Sequence, residues 1–151
     1  MTDRNPSRVA RVVVASNRAS SGVYEDRSGP IIEAWLVEQG FTVDECDVVA
    51  DGPPVGEALR AAIYAEVDLV ITTGGTGLTP TDRTPEETAP LLDRLVPGIP
   101  EALRAPGVAK GIPGAMLSRG VAGVADRTLV INLPGSSGGV KEALAVLAPV
   151  I

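Results

Sequence analysis

The stretch Val67-Asp-Leu-Val-Ile-Thr-Thr-Gly-Gly-Thr-Gly-Leu-Thr-Pro-Thr-Asp82 decides how this chain folds. Its first seven residues, Val67–Thr73, are mostly apolar and β-branched, the composition of a strand buried on both faces. The strand runs straight into Gly74. Beyond the glycines, Thr84-Pro85-Glu86-Glu87 reads as a helix start. Thr84 can cap it, Pro85 suits the first helical position, and Glu87 completes a capping box. A strand, a glycine loop and a helix in that order are the unit of a parallel α/β sheet.

Working outward, the same alternation repeats. Arg8–Ser16 is a β-branched strand, followed by a polar loop over 17–29. Pro30 opens a helix in which Ile31, Ile32, Trp35 and Leu36 share one face, and Gly40 ends it. Phe41–Val49 reads as a second strand, closed by Asp51-Gly52-Pro53. Val55, Leu59, Ala62 and Ile63 make 54–65 an amphipathic helix. The helix opened at Thr84 is expected to reach about Leu95, with a shorter helical piece over Ile99–Arg104 and a short strand within Ala115–Ala122. Arg127–Asn132 is a strand, and a final helix covers 139–148. The fold expected is α/β in three layers: a mainly parallel sheet with helices on both faces. One domain spans 8–150, and residues 1–7 are expected to be a disordered N-terminus.

Composition excludes several functions. With 44% hydrophobic residues but only 3% aromatic, the core must be built from Val, Leu, Ile and Ala. A net charge of −6 opposes nucleic-acid binding, which draws on a basic surface. No apolar run approaches the roughly 20 residues that span a bilayer, and no apolar signal region follows the first charges, so a cytoplasmic location is expected. Cys46 is the single cysteine. There is no histidine, which removes the usual zinc ligand and every Ser-His or Cys-His nucleophile.

Ligands of open α/β sheets bind beyond the carboxyl ends of the strands. Four such ends are polar here: Ser16-Asn17-Arg18, Asp51-Gly52, Gly74 to Asp82, and Pro134 to Gly139. In the third, Gly74, Gly75 and Gly77 uncover backbone amides, and Thr73, Thr76, Thr79 and Thr81 add hydroxyls, a combination suited to cradling phosphate oxygens. It is not a Walker A loop, lacking Gly-Lys-Ser/Thr, nor a dinucleotide fingerprint, because Pro80 interrupts it. Asp82 can be read as a turn or capping carboxylate, or as a ligand for Mg²⁺, which takes carboxylates together with substrate phosphates. Asp51 could likewise simply make an Asp-Gly turn. Gly135-Ser-Ser-Gly-Gly139 fits the spacing of a nucleophile elbow, but without histidine it reads better as an anion-binding helix start. Arg119, beside Ser118, is a candidate for an anionic ligand, as are Arg18, Lys110 and Lys141.

Taken together, Thr72-Thr-Gly-Gly-Thr-Gly-Leu-Thr-Pro-Thr-Asp-Arg-Thr-Pro-Glu86, Gly98-Ile-Pro-Glu101, Leu117-Ser-Arg119 and Asn132-Leu-Pro-Gly-Ser136 resemble the MoaB/MogA family of molybdenum cofactor biosynthesis. Ser20–Gly29 is similar to that family's first loop. The resemblance implies a molybdopterin-binding fold, usually trimeric, and a Mg²⁺-dependent adenylyl transfer from ATP to the molybdopterin phosphate, with hand-over of the product to a molybdate-inserting enzyme. It implies catalytic and metal-binding roles for Asp51 and Asp82. It places substrate and nucleotide binding at Ser16, Thr73, Gly74, Gly75, Thr76, Gly77, Ser118, Arg119, Pro134, Gly135 and Ser136. The last loop departs from the family's frequent Pro-Gly-Ser-Pro-Lys, and Lys141 is the residue expected to replace the missing lysine. Retention of both aspartates favours an adenylyltransferase; the altered loop favours a protein that only binds molybdopterin or a precursor. Recruitment to scaffolding, as in larger fusion proteins, is a third reading.

Overall fold

A computed structural model describes residues 6–151. Of the expected disordered segment 1–7, residues 1–5 lie outside the described residues; Ser7 hydrogen-bonds through its hydroxyl to that of Thr42 at 2.7 Å.

Among the described residues, six strands form one sheet in the order β2-β1-β3-β6-β5-β4. β1 (Arg8–Ala15), β2 (Phe41–Val49), β3 (Leu69–Thr73) and β6 (Thr128–Leu133) run parallel. The β-branched runs spell these strands because both faces are covered. From β1, Ala10, Val12 and Val14 point to one core, and Val13 and Ala15 to the other. The first core is closed by α2 (Ser28–Glu38), α5 (Gly98–Ala109) and α6 (Ser137–Leu147), through Ile32, Leu36, Leu103, Val140 and Leu144. The second is closed by α3 (Pro53–Tyr64) through Val55, Leu59 and Ala62, with Leu91 and Leu92 beyond α4 (Thr84–Thr88). A bulge lies between Ala10 and Arg11, where β1 skips Asp44 of β2. Arg11, a residue only 8% exposed, donates to that skipped carboxylate at 3.0 and 2.9 Å.

The structure differs from the expectations in five places, one of them α5, which runs on through Pro106 to Ala109 instead of stopping at Arg104. A four-residue helix, α1 (Asn17–Ser20), interrupts the expected loop because Ser16 caps it, accepting from Ala19 N at 3.1 Å. α2 begins at Ser28, before Pro30, because Asp26 Oδ1 accepts from the amides of Ser28 and Gly29, both at 3.1 Å. The helix opened at Thr84 stops at Thr88. A 3-10 turn over Ala89–Leu91 follows, and then a two-residue strand, β4 (Arg94–Leu95). Chain reversal is stabilised by Asp93 N–H donating to Val124 O at 2.8 Å and Val96 N–H to Ala122 O at 2.9 Å. Finally, 113–117 is a 3-10 helix and the strand lies further on, as β5 (Ala122–Ala125), antiparallel to both β4 and β6. Glycine at 123 is required there, since a Cβ would run into Arg94's carbonyl oxygen.

The order β2-β1-β3 places the reversal of winding between β1 and β3. A crevice is expected beyond their carboxyl ends, and those ends are Ser16 and Gly74. Among the described residues, no helix is long and apolar enough to cross a membrane.

Candidate functional site

Three strand ends meet backbone to backbone. Gly74 takes φ +89, and a Cβ there would strike the carbonyl oxygen of Ala15. Its N–H donates to Leu133 O at 3.2 Å. A Cβ on Gly135 would stand 3.3 Å from the Gly74 Cα. Thr73 Oγ1 donates to Pro134 O at 2.6 Å, and Ser28 Oγ donates to Gly135 O at 3.1 Å. Thus β3's glycine turn, the Pro134 loop and the start of α2 form one rigid seam.

A cavity of about 380 Å³ opens on this seam, lined by Ser16, Thr73, Gly74, Gly135 and Ser136 together with Tyr24, Arg27 and Ser28. Across the Pro134 loop lies a second cavity of about 490 Å³. Pro134, Ser136 and Ser118 line it, and so do Leu103, Arg104, Lys110, Ile112, Asn132 and Glu142. Ser136 belongs to both and caps α6, accepting from Gly139 N at 3.1 Å. A two-part ligand draped over this loop would reach both.

The carboxylates come together on the far side of the glycine loop. Asp82 Oδ2 accepts from Thr79 N at 3.0 Å and Thr79 Oγ1 at 2.7 Å, and a Cβ on Gly77 would stand 2.8 Å from it. The turn role and proximity to the loop backbone therefore coexist. Asp51's N–H donates to Asn17 Oδ1 at 2.9 Å, and its Oδ1 lies 3.1 Å from the position of a Cβ on Gly75. Burial pushes the Asp51 carboxyl above its ordinary range, the charge of Asp82 pushes the same way, and a hydrogen bond from the Asn17 backbone pulls it partly back. Two carboxylates that repel each other next to a run of glycine amides suit a divalent cation. Among the described residues no group of three or more acidic, His or Cys side chains is placed to hold a metal alone.

Arg119 does not present a free cation to a ligand. Its Nε donates to Gly77 O at 2.8 Å, Nη2 to Asp82 O at 2.8 Å, and Nη1 to the Glu86 carboxylate at 2.8 and 3.0 Å. Its planar fork ties the middle of the glycine loop to its far end. Ser118 Oγ stands 3.4 Å from Thr76 Oγ1, and Arg119 N–H donates to Thr76 O at 2.8 Å. Lys141 is exposed on α6 and lines neither cavity. The lysine beside the Pro134 loop is instead Lys110, brought from the end of α5 and paired with Glu142 at 2.6 Å. The capping box at Thr84 does not form: Arg83 occupies the cap position, without a side-chain hydrogen bond, and Glu87 packs against Gly56 of α3. Sequence reasoning left Arg27, Arg104, Asn132 and Glu142 out of the site; only Arg27 had a local signal, the polar Asp26-Arg27-Ser28 run before α2.

Residues 11–151 match the family described as a probable molybdopterin binding domain. The chain belongs to the molybdopterin-binding MoaB/MogA family. The molybdenum cofactor biosynthesis bifunctional protein of Synechococcus elongatus is 43% identical over 143 residues, 94% of this chain but 44% of that protein, so the chain spans less than half of that relative. The molybdopterin adenylyltransferase of Helicobacter pylori strain J99 is 40% identical, over 93% of this chain and 81% of its own. In structure, the molybdopterin biosynthesis Mog protein of Mycobacterium ulcerans superposes with a TM-score of 0.91 at 56% identity, covering 95% of this chain and 94% of that one. Six strands in the order above, mostly parallel, are thus a MoaB/MogA sheet.

Proposed function

We propose that this chain is a molybdopterin adenylyltransferase. An oxygen of the molybdopterin phosphate attacks the α-phosphorus of ATP, the α–β bond breaks, and pyrophosphate leaves. The observation that carries this reading is the convergence of Asp51 and Asp82 on the glycine loop, supported by curated relatives bearing that activity. Asp82 and Asp51 would hold Mg²⁺, which supplies charge neutralisation for two phosphate groups brought into line. The amides of Gly75 and Gly77 and the hydroxyl of Thr76 bind phosphate oxygens, while Thr73 and Gly74, whose donors are taken by Pro134 O and Leu133 O, join Ser16, Ser118, Pro134, Gly135 and Ser136 in shaping the cavities that seat the two substrates. Arg119 contributes by holding the loop shut against Gly77 and Asp82 rather than by touching phosphate. Joining two phosphates calls for positioning and electrostatics more than a covalent nucleophile, so a chain without histidine is equipped for it.

The binder reading draws on the missing loop lysine, and Lys110 in the adjoining cavity weakens it. Purified protein mixed with molybdopterin, ATP and Mg²⁺ should release pyrophosphate and form adenylylated pterin, with omission of any one component abolishing release. Pterin binding without pyrophosphate would establish the binder instead. We also propose, on the family resemblance, a cytoplasmic homotrimer that passes its product to a molybdate-inserting enzyme; sedimentation of the purified chain as a monomer would refute the trimer.

A further inference from the structure

A chain of buried polar groups runs beneath the glycine loop. Asn132 Nδ2 donates to Thr72 Oγ1 at 2.9 Å and to Thr88 Oγ1 at 3.1 Å, and its Oδ1 accepts from Val121 N at 3.1 Å. Thr88 Oγ1 donates to Thr84 O at 2.7 Å. Thr84 N–H donates in turn to Gly75 O at 3.0 Å. Each of these groups has a partner, as buried polar groups do. Among the described residues, the buried side-chain polar atoms without a partner are Asp51 Oδ1 and Thr84 Oγ1.

These two atoms are neighbours. Thr84 Oγ1 fills the space a Cβ on Gly75 would need, and Asp51 Oδ1 lies 3.1 Å from the same point. One is a hydroxyl, able to donate; the other belongs to a carboxylate, which when ionised only accepts. Thr84 is fully buried, where a valine would pack equally well and leave no polar atom unsatisfied. Its hydroxyl is not used as a helix cap either.

Resting on the reading that Asp51 serves the adenylyl-transfer site, we infer that Thr84 is a positioning residue for Asp51. Its hydroxyl reaches Asp51 Oδ1 through one bridging water and so fixes the carboxylate, leaving its other oxygen for the cation. Partners that orient metal-binding side chains typically change affinity about 10–100-fold when removed.

The test reads cation affinity directly, with Mn²⁺ replacing Mg²⁺ and free Mn²⁺ followed by electron paramagnetic resonance. Thr84→Val should weaken Mn²⁺ binding about 10-fold, Thr84→Ser should restore it to within about twofold of the parent, and Thr84→Val should add nothing in an Asp51→Ala background. Unchanged affinity in Thr84→Val, or a further loss in the Asp51→Ala background, overturns the inference. Urea unfolding of the parent, Thr84→Val, Asp51→Ala and the double variant separates this from failure of the cation reading. If the parent chain binds no Mn²⁺, non-additive midpoints for Thr84→Val and Asp51→Ala support the pairing and additive ones overturn it.

Discussion

Replacing Gly74 with alanine tests the seam on which the whole site is built. The residue stands at φ +89, where an L-residue is strained by about 1–2 kcal/mol. Its new Cβ would meet not a flexible side chain but the carbonyl oxygen of Ala15, at the carboxyl end of β1. Relief means shifting both the end of β1 and the Gly74 turn, which strains the Ser16–Val49 hydrogen bond tying β1 to β2 and the Gly74–Leu133 hydrogen bond tying β3 to β6. Each contributes about 1 kcal/mol net, so the substitution should cost about 3–4 kcal/mol in total. For a chain of this size that lowers the melting midpoint by about 10 °C. Gly22→Ala is the control: φ is +78 but nothing lies within 4 Å, so it should show the conformational strain alone. Differential scanning calorimetry of the two variants decides. A Gly74→Ala protein that melts no lower than Gly22→Ala would refute the backbone-to-backbone packing of the three strand ends.

Three further outcomes follow from the site. Arg119→Lys keeps the charge but cannot span Gly77 O, Asp82 O and Glu86 together; it should raise the KM for ATP nearly as much as Arg119→Ala, by about 10-fold if one charged hydrogen bond is lost, and a parent-like KM would show that only charge matters. Lys110→Ala should weaken molybdopterin binding several-fold and make it less salt-dependent, while Lys141→Ala should leave it unchanged; isothermal titration with the reverse ranking would restore the sequence-based choice of Lys141. Asp51 has a raised folded pKa, so the folded state binds its proton more tightly than the unfolded chain does. Its contribution to stability is therefore complete in acid, below the ordinary carboxylate range, and is lost as pH rises through that range to the folded value. Asp51→Asn should raise the melting midpoint at pH 7 and lose that gain in acid; a midpoint lowered at pH 7 would contradict the burial and Asp82 repulsion described here.

Much of this architecture was legible because both faces of the parallel strands are covered. Val12, Ile71 and Ile131 had to be apolar, and their runs announced β1, β3 and β6. The glycine loops were legible because a close backbone approach, as of Gly74 to Ala15, excludes other residues. What escaped depends on partners remote in sequence. The two-residue strand β4 has no period to detect, and it exists because β5 reaches back to pair with it. Thr84 and Glu87 satisfied a local capping rule, yet packing against Gly56 of α3 took Glu87 away. Arg119 advertised an anion contact, and three acceptors 33 to 42 residues earlier in the chain consumed its donors. Lys110 reaches the Pro134 loop only because α5 packs beside α6.

Adenylyl transfer at the glycine loop depends most directly on Asp82. With molybdopterin, Mg²⁺ and ATP labelled at the α-phosphate, the parent chain should form labelled, adenylylated pterin and one pyrophosphate per product. Asp82→Ala should still bind molybdopterin but lose at least about 100-fold in the rate of labelling, the scale set by removing one charge-stabilising group from an active site. Labelling by Asp82→Ala at the parent rate, or molybdopterin bound by the parent with no label transferred, would contradict the assignment of adenylyl transfer to the carboxylates at the glycine loop.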